Sequence, residues 1–140
     1  MAGGEELNLV GALFRGKRGA GDRTAVIAPD GTYTYSELHT AVLSAAGRLS
    51  ALGVGQGDRA GILLPNSASF IVTFLGCLAR NAVAVPVKYD FTPCEVREIL
   101  VDCGARALVT TAERASSMRT ELGDLVRVLE VSKVTGTEGP

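Results

Sequence analysis

The 140-residue sequence predicts an α/β protein: an open, doubly wound, mostly parallel sheet with helices on both faces. Short runs that are apolar throughout, typical of strands buried on both sides, alternate along the chain with stretches of helical periodicity. Two of those stretches begin with a capping box, which marks a helix N-terminus. The length suits one domain built around one hydrophobic core.

The first predicted elements are a short helix, a strand and a turn. Leu7 to Phe14 carries apolar residues at helical spacing, and Thr24 to Ala28 has the composition of a strand. Pro29-Asp-Gly31 has the composition of a turn, which leads into Tyr33.

A long helix follows, with Thr34 as its N-cap and Glu37 completing a capping box. Gly53 is placed to end this helix as a C′ glycine. The predicted buried stripe, at spacings of three and four, consists of Leu38, Val42, Ala45, Leu49 and Leu52.

The most apolar region, Ile62 to Val87, predicts a buried helix between two buried strands rather than a membrane span. Its longest uninterrupted part, Phe70 to Ala79, is far shorter than the roughly 20 residues that cross a bilayer. The strands are Ala60 to Leu64 and Val83 to Val87. The helix, Ala68 to Arg80, is apolar around most of its circumference, and Asn66 or Ser67 caps it.

The last third repeats the alternation of helix and strand. Thr92-Pro-Cys-Glu95 is a second capping box, with proline at the first helical position, and Gly104 ends that helix after Cys103. The remaining elements are a strand from Ala107 to Thr110, a helix from Ala112 to Leu122 and a strand from Leu125 to Val131. We therefore divide the chain into an N-terminal helix and linker (1–21), an α/β domain (22–131) and a frayed tail (132–140).

Composition excludes several classes of function. Fourteen basic residues against fifteen acidic ones give a net charge of −1, without the basic footprint of a protein that binds nucleic acid or an anionic membrane. One histidine and three cysteines leave almost no ligands for a zinc site. The N-terminus lacks the basic and apolar regions of a signal peptide, so we expect a cytoplasmic protein.

The residues with reactive side chains have ordinary interpretations. Cys77, Cys94 and Cys103 are expected to be small apolar core residues in a reducing compartment. A nucleophilic thiol paired with His39 is the alternative, although a surface or boundary histidine suffices to explain His39. Glu37 is accounted for by its capping box, and so is Glu95. The residues themselves therefore show no catalytic constellation.

The glycine cluster Gly53-Val-Gly-Gln-Gly57-Asp58-Arg59 is expected to form a turn rather than a phosphate loop. A dinucleotide fingerprint follows a strand and opens a helix, whereas here a helix ends and a strand begins. The lysine and hydroxyl pair of a Walker loop is also missing from this cluster.

Five motifs follow one another in an order that resembles the N-terminal subdomain of the adenylate-forming (AMP-binding) superfamily. This superfamily includes acyl-CoA synthetases, aryl-CoA ligases, luciferases and the adenylation domains of peptide synthetases. The resemblance extends from about Asp22 to Val131. The motifs are Asp22-Arg-Thr-Ala-Val-Ile, Tyr33-Thr-Tyr-Ser-Glu-Leu38, Leu52-Gly-Val-Gly-Gln-Gly-Asp-Arg59, Leu64-Pro-Asn-Ser67 and Leu78-Ala-Arg-Asn-Ala-Val-Ala-Val-Pro-Val87.

The resemblance implies that the family's phosphate loop, adenine, ribose and Mg²⁺ ligands and catalytic lysine all lie beyond residue 140. No catalytic, cofactor-binding or metal-binding residue is therefore carried over onto this chain, and it is expected to bind no cofactor alone. Two positions depart from the family pattern: Asn81 stands where glycine is usual, and Tyr89 where proline is common. Asparagine tolerates a left-handed backbone, so we expect the turn at Asn81 to survive.

The resemblance implies part of a split or truncated ligase that activates a carboxylic acid with ATP and Mg²⁺ and transfers it to a thiol. The chain alone is expected to be inactive, with the remaining subdomains supplied by a partner protein or a longer parent. The alternative is a non-catalytic interaction or stabilising module of the same descent. The helix from Ala68 to Arg80 supports a protein partner, or a homo-oligomer in its absence, because it is expected to be buried all round.

Overall fold

A computed structural model of the protein describes residues 9–16 and 20–131. The helices are α1 (Leu9–Arg15), α2 (Tyr35–Ala51), α3 (Ala68–Ala79), α4 (Pro93–Cys103) and α5 (Ala112–Leu122). The strands are β1 (Thr24–Ala28), β2 (Gly31–Thr34), β3 (Arg59–Leu63), β4 (Val83–Pro86), β5 (Ala107–Thr111) and β6 (Arg127–Val131). The predicted tail, 132–140, lies outside the described residues, as do 1–8 and 17–19.

The central sheet is parallel and has the strand order β4-β3-β5-β6. The chain passes from β3 outwards to β4, crosses back to β5 and then continues to β6. Alternate side chains of the strands enter two cores. Ile62 faces a core that includes Leu49 of α2 and Cys77 of α3, whereas Leu63 faces one that includes Leu100 of α4 and Met118 of α5. The α/β fold with helices on both faces is thereby confirmed.

The strands β1 and β2 form a separate antiparallel hairpin rather than joining the parallel sheet. The sequence pattern predicts β1 but only a turn leading into Tyr33, so β2 is an element that the pattern does not predict. The hairpin packs over a third core in which Tyr33, Val10 of α1, Val42 of α2 and Val72 of α3 are buried. A two-stranded hairpin is marginally stable alone, and this core supplies its support.

The predicted helix caps are confirmed. Both capping boxes form, with Thr34 accepting from the Glu37 amide at 3.1 Å and Thr92 accepting from the Glu95 amide at 3.2 Å. Ser67, rather than Asn66, caps α3. Gly53 and Gly104 follow α2 and α4 with positive φ, as helix-ending glycines do.

One expectation of burial is met in part and another is wrong. α3 packs on α1, α2, β1 and the sheet, which cover most of its circumference, but Ile71 is 37% exposed. β4 was predicted as a strand covered on both faces, but it lies at the sheet edge and Val83 is 48% exposed. The amide of Val83 donates to the carbonyl of Asp58, just before β3, and the amide of Val87 donates to that of Ile62 in β3. The missing N–H of Pro86 therefore faces outwards, where it costs no ladder bond.

Within residues 9–16 and 20–131, each helix is too short or too polar to cross a bilayer. The apolar region around α3 is accordingly the predicted helix between two strands, β3 and β4.

Candidate functional site

A crevice opens at the carboxyl-terminal edge of the parallel sheet. It lies where the chain turns in opposite directions from two neighbouring strands, β3 and β5, and such switch points are where open α/β sheets bind ligands. Its volume is about 590 Å³. Residues from the hairpin turn, the β3–α3 loop, the start of α5 and the end of β6 line it, among them Asp30, Pro65, Ser67, Thr111, Glu113 and Val131.

One wall of the crevice is the N-terminus of α3, whose amides already have acceptors. The carboxylate of Asp30 accepts from the amide of Ala68 at 2.7 Å, and from the amide and hydroxyl of Ser69 at 3.2 Å each. The Ser67 hydroxyl accepts from the Phe70 amide at 3.1 Å and donates to the Pro65 carbonyl at 2.8 Å. Asp30 therefore occupies the positive end of this helix, the kind of position at which helices can also bind phosphate.

The opposite wall is held by contacts between the β4–α4 loop and the start of α5. The Tyr89 hydroxyl shares a 2.9 Å hydrogen bond with the Thr111 hydroxyl. The guanidinium of Arg114 lies 5.5 Å from the centre of the Tyr89 ring and donates to the carbonyls of Tyr89 and Phe91. Tyr89, which replaces the proline common in the resembled family, thus fixes the loop by side-chain contacts.

The charge of the crevice does not suit the phosphates of ATP without further groups. The charged side chains that line it are the carboxylates of Asp30 and Glu113, which would repel phosphates. Asp30 is already committed to three hydrogen bonds. In the described ranges, no group of three His, Cys, Asp or Glu side chains is placed to hold a metal ion. The two carboxylates therefore give the crevice a negative charge, and hydrogen bonds already hold one of them, Asp30, in place.

The other candidate residues from the sequence lie away from the crevice. His39 is half-buried and stacks on Phe14 of α1, with ring centres 4.3 Å apart, as a boundary histidine does. Glu37 and Glu95 are engaged in their capping boxes. The glycine cluster forms the turn between α2 and β3, as predicted, and the Gly55 amide bonds to the Asp58 carboxylate at 2.8 Å.

The cysteines only partly match the prediction that they are core residues. Cys77 is fully buried, and burial raises the pKa of its thiol to about 11. Cys103 is half-buried, but Cys94 is exposed. Cys94 precedes the buried Val96 by two positions, which places it on the opposite side of α4 from the core.

The departure at Asn81 has a clear structural result. Asn81 has φ of 57° and is the only non-glycine residue with positive φ in the described part of the chain. Its carbonyl accepts from the Gly57 amide at 2.9 Å, which ties the turn after α3 to the glycine cluster. The turn therefore survives the replacement of glycine, as the tolerance of asparagine for a left-handed backbone predicts.

Comparison with known proteins agrees with this architecture. A family model described as AMP-binding enzyme matches residues 13–138. The 3-hydroxybenzoate–CoA/4-hydroxybenzoate–CoA ligase of Thauera aromatica is 32% identical over 123 residues, which are 88% of this chain and 23% of that relative. A 3-[(3aS,4S,7aS)-7a-methyl-1,5-dioxo-octahydro-1H-inden-4-yl]propanoyl:CoA ligase of Mycobacterium tuberculosis is 37% identical over 126 residues, 86% of this chain and 25% of that relative.

Solved structures show the same likeness. A benzoate CoA ligase from Burkholderia xenovorans LB400 superposes with a TM-score of 0.82 at 25% identity, covering 92% of this chain and 27% of that structure. The N-terminal domain of FACL13 from Mycobacterium tuberculosis gives 0.77 at 27% identity, covering 91% and 34%. The chain spans about a quarter of the length of the curated relatives that it matches. It belongs to the AMP-binding enzyme family and corresponds to the N-terminal portion of its acyl- and aryl-CoA ligases.

Proposed function

We propose that this chain supplies the N-terminal subdomain of an adenylate-forming ligase, with the remaining subdomains on a second polypeptide or a longer parent. The observation that carries the proposal is the match of nearly the whole chain to about a quarter of several CoA ligases. The assembled enzyme converts a carboxylate and ATP to an acyl-adenylate and pyrophosphate. It then transfers the acyl group to the thiol of CoA or a carrier protein.

The chain's own contribution is to hold the walls of the crevice. Enzymes of the family use ATP and Mg²⁺, and the donors for phosphate would come from the remaining subdomains, because Asp30 already occupies the amides of α3. Asp30 and Ser67 hold one wall, and Arg114 with Tyr89 holds the other. Rigid support of this kind keeps a neighbouring site in its productive geometry.

The substrates named for the relatives differ, so they support a substrate class only in the chemistry that they share. Their names include ligases of hydroxybenzoates, acetate and long-chain fatty acids. The shared chemistry is a carboxylate activated for attack by a thiol. We accordingly propose a carboxylic acid as the substrate of the assembled enzyme.

The exposed side of α3 supports a protein partner. Phe70 and Phe74 stack with ring centres 6.2 Å apart and lie half-buried at the edge of the core that includes Leu49, while Ile71, between them in sequence, is 37% exposed. Covering apolar surface releases roughly 25 cal/mol per Å², so an aromatic pair and an isoleucine favour a complementary surface. We place the contact with the remaining subdomains here.

The test is reconstitution with the polypeptide that carries the phosphate loop in the same organism. The two chains are co-expressed, and ATP–pyrophosphate exchange is measured with aromatic, short-chain and long-chain acids. We expect exchange with at least one acid from the complex and background exchange from either chain alone. A complex that forms but exchanges with none of the acids would contradict the proposal and favour the non-catalytic module.

Variants of the apolar surface locate the contact. Ile71→Asp should weaken binding of the two chains at least about tenfold, because it places a charge against an apolar surface. Ile27→Asp, on the hairpin, is the matched control and should bind as the wild type does. Equal binding by all three chains would place the contact on another face.

A further inference from the structure

A second cavity lies at the opposite, amino-terminal edge of the sheet. It has a volume of about 740 Å³ and is lined by the ends of α2 and α4 and by the turn that leads into β6. The starts of β3 and β6, Arg59 and Arg127, also line it. Its distance from the carboxyl edge makes it independent of the crevice and of the proposed ligase reaction.

Two of the most exposed large apolar side chains among the described residues line this cavity. Leu125 is 59% exposed and Val101 is 51% exposed, and both line its wall. Single exposed apolar residues are ordinary on a protein surface, but two that share one concave site mark a candidate interface.

The charges around the cavity fall into two groups. Arg59 donates to the carbonyls of Cys103 at 2.8 Å and Gly57 at 3.0 Å, and Arg106 pairs with Asp58 at 3.1 Å. Asp124 and Arg127 differ from these: within residues 9–16 and 20–131, neither side chain has a hydrogen bond or ion pair. One anion and one cation, three residues apart, are thus available to an incoming surface.

A small anion is a poor occupant. α2 and α4 both end at this cavity, so their C-terminal carbonyls present partial negative charge to it. Of the other charged side chains that line the cavity, Arg106 is paired with Asp58 and Arg59 is bonded to carbonyls, so an anion would meet one unpaired cation, Arg127, close to the carboxylate of Asp124. A protein surface that carries an acid, a base and apolar side chains matches the cavity better.

We propose that this cavity is an interface between two copies of the chain related by a twofold axis. In such an interface the same surface meets itself, so Arg127 of each copy pairs with Asp124 of the other, and both charges gain a partner. Leu125 and Val101 are buried between the copies. A stable interface takes about 800 Å² per partner, roughly a tenth of the 7400 Å² surface of this chain.

The first test is the mass in solution of the 140-residue chain. Sedimentation equilibrium from about 1 to 100 µM should show a species of twice the chain mass of 14.5 kDa, with a dissociation constant in that range. Leu125→Asp should leave the chain folded by circular dichroism but monomeric. A wild-type chain that stays monomeric throughout this range would overturn the proposal.

The second test is a charge exchange between chains. Arg127→Asp alone and Asp124→Arg alone each create two like-charge contacts in the twofold dimer, so each should weaken dimerisation at least about tenfold. Mixing the two variants should restore affinity to within about threefold, because every pair in the mixed dimer is again opposite in charge. Ile27→Asp, outside the cavity, is the control and should dimerise normally. Unchanged dimerisation of both single variants, or no rescue in the mixture, would refute the assigned pairing.

Discussion

Asp30 and Ser69 are 39 residues apart in sequence, yet the Asp30 carboxylate accepts hydrogen bonds from both the amide and the hydroxyl of Ser69, at 3.2 Å each. A third bond comes from the Ala68 amide at 2.7 Å. The turn of the β1–β2 hairpin is thereby joined to the start of α3. This contact couples the hairpin to the carboxyl edge of the parallel sheet and closes one wall of the crevice.

Removing this carboxylate should destabilise the fold. We expect Asp30→Ala to lower the free energy of unfolding by about 2 kcal/mol, because buried amides lose a charged acceptor at a helix N-terminus. Urea denaturation followed by circular dichroism measures the change. Asp90→Ala, at an exposed aspartate, is the control and should stay within about 0.5 kcal/mol of the wild type. Equal stability of the two variants would show that the Asp30 contacts contribute nothing.

The relative cost of core and cap substitutions tests the orientation of α2. Leu49 is 1% exposed, so Leu49→Ala should cost about 2–5 kcal/mol of unfolding free energy. Thr34→Ala and Thr92→Ala each remove one capping bond and should cost about 1 kcal/mol. Denaturant titrations of the three variants give the order. A Leu49→Ala variant milder than either cap variant would mean that α2 turns a different face to the core.

The left-handed backbone at Asn81 predicts different effects on stability from substitution by alanine and by glycine. Asn81→Ala should lower the free energy of unfolding by about 1 kcal/mol, because alanine pays the full cost of positive φ. Asn81→Gly should change it by less than about 0.5 kcal/mol, since relief of backbone strain and greater freedom of the unfolded chain offset each other. Thermal and urea unfolding both report the difference. Alanine as stable as glycine at this position would contradict the assigned conformation.

Asp58 should make stability depend on pH. The hydrogen bond from the Gly55 amide, together with Arg106, holds the pKa of Asp58 below its usual value. A carboxylate whose pKa is lower in the folded state stabilises the fold above the unfolded pKa of about 4, and this contribution is lost as pH falls through the folded pKa. Asp58→Asn should therefore be less stable than the wild type at pH 7, with the gap closing in acid. Urea midpoints from pH 7 to about pH 3 measure it. A gap that is constant with pH would exclude the charge as its cause.

Much of the fold could be predicted from the sequence because it depends on interactions between residues that are close together in the chain. The structure confirms the predicted bounds of α5, the two capping boxes and the helix-ending glycines. These features could be predicted because each depends on residues within one turn of each other. β2 was missed because its four residues, Gly31 to Thr34, include one large apolar side chain, Tyr33, and so give no strand periodicity. The exposure of β4 depends on strand order, which the apolar pattern of Val83 to Pro86 does not encode.

The candidate site was harder to predict, because its contacts join distant segments. The sequence around Asp30 predicts only a turn. Its hydrogen bonds to α3 form only when the hairpin packs against that helix, so the local sequence does not indicate them. Arg114 likewise reads as an exposed helical residue, although it holds Tyr89 and Phe91. The one indication in the sequence was that Tyr89 departs from the family pattern. This pointed to the loop but not to Thr111 and Arg114, the residues that Tyr89 contacts.

The most direct test of the central claim, that this chain is a scaffold whose nucleotide ligands come from elsewhere, is calorimetric titration of the isolated 140-residue chain with ATP and Mg²⁺. The crevice carries two carboxylates, and the amides at the start of α3 are already bonded to Asp30 and Ser67. We therefore expect no saturable heat at ATP concentrations up to about 1 mM. Saturable binding with a micromolar dissociation constant would contradict the account.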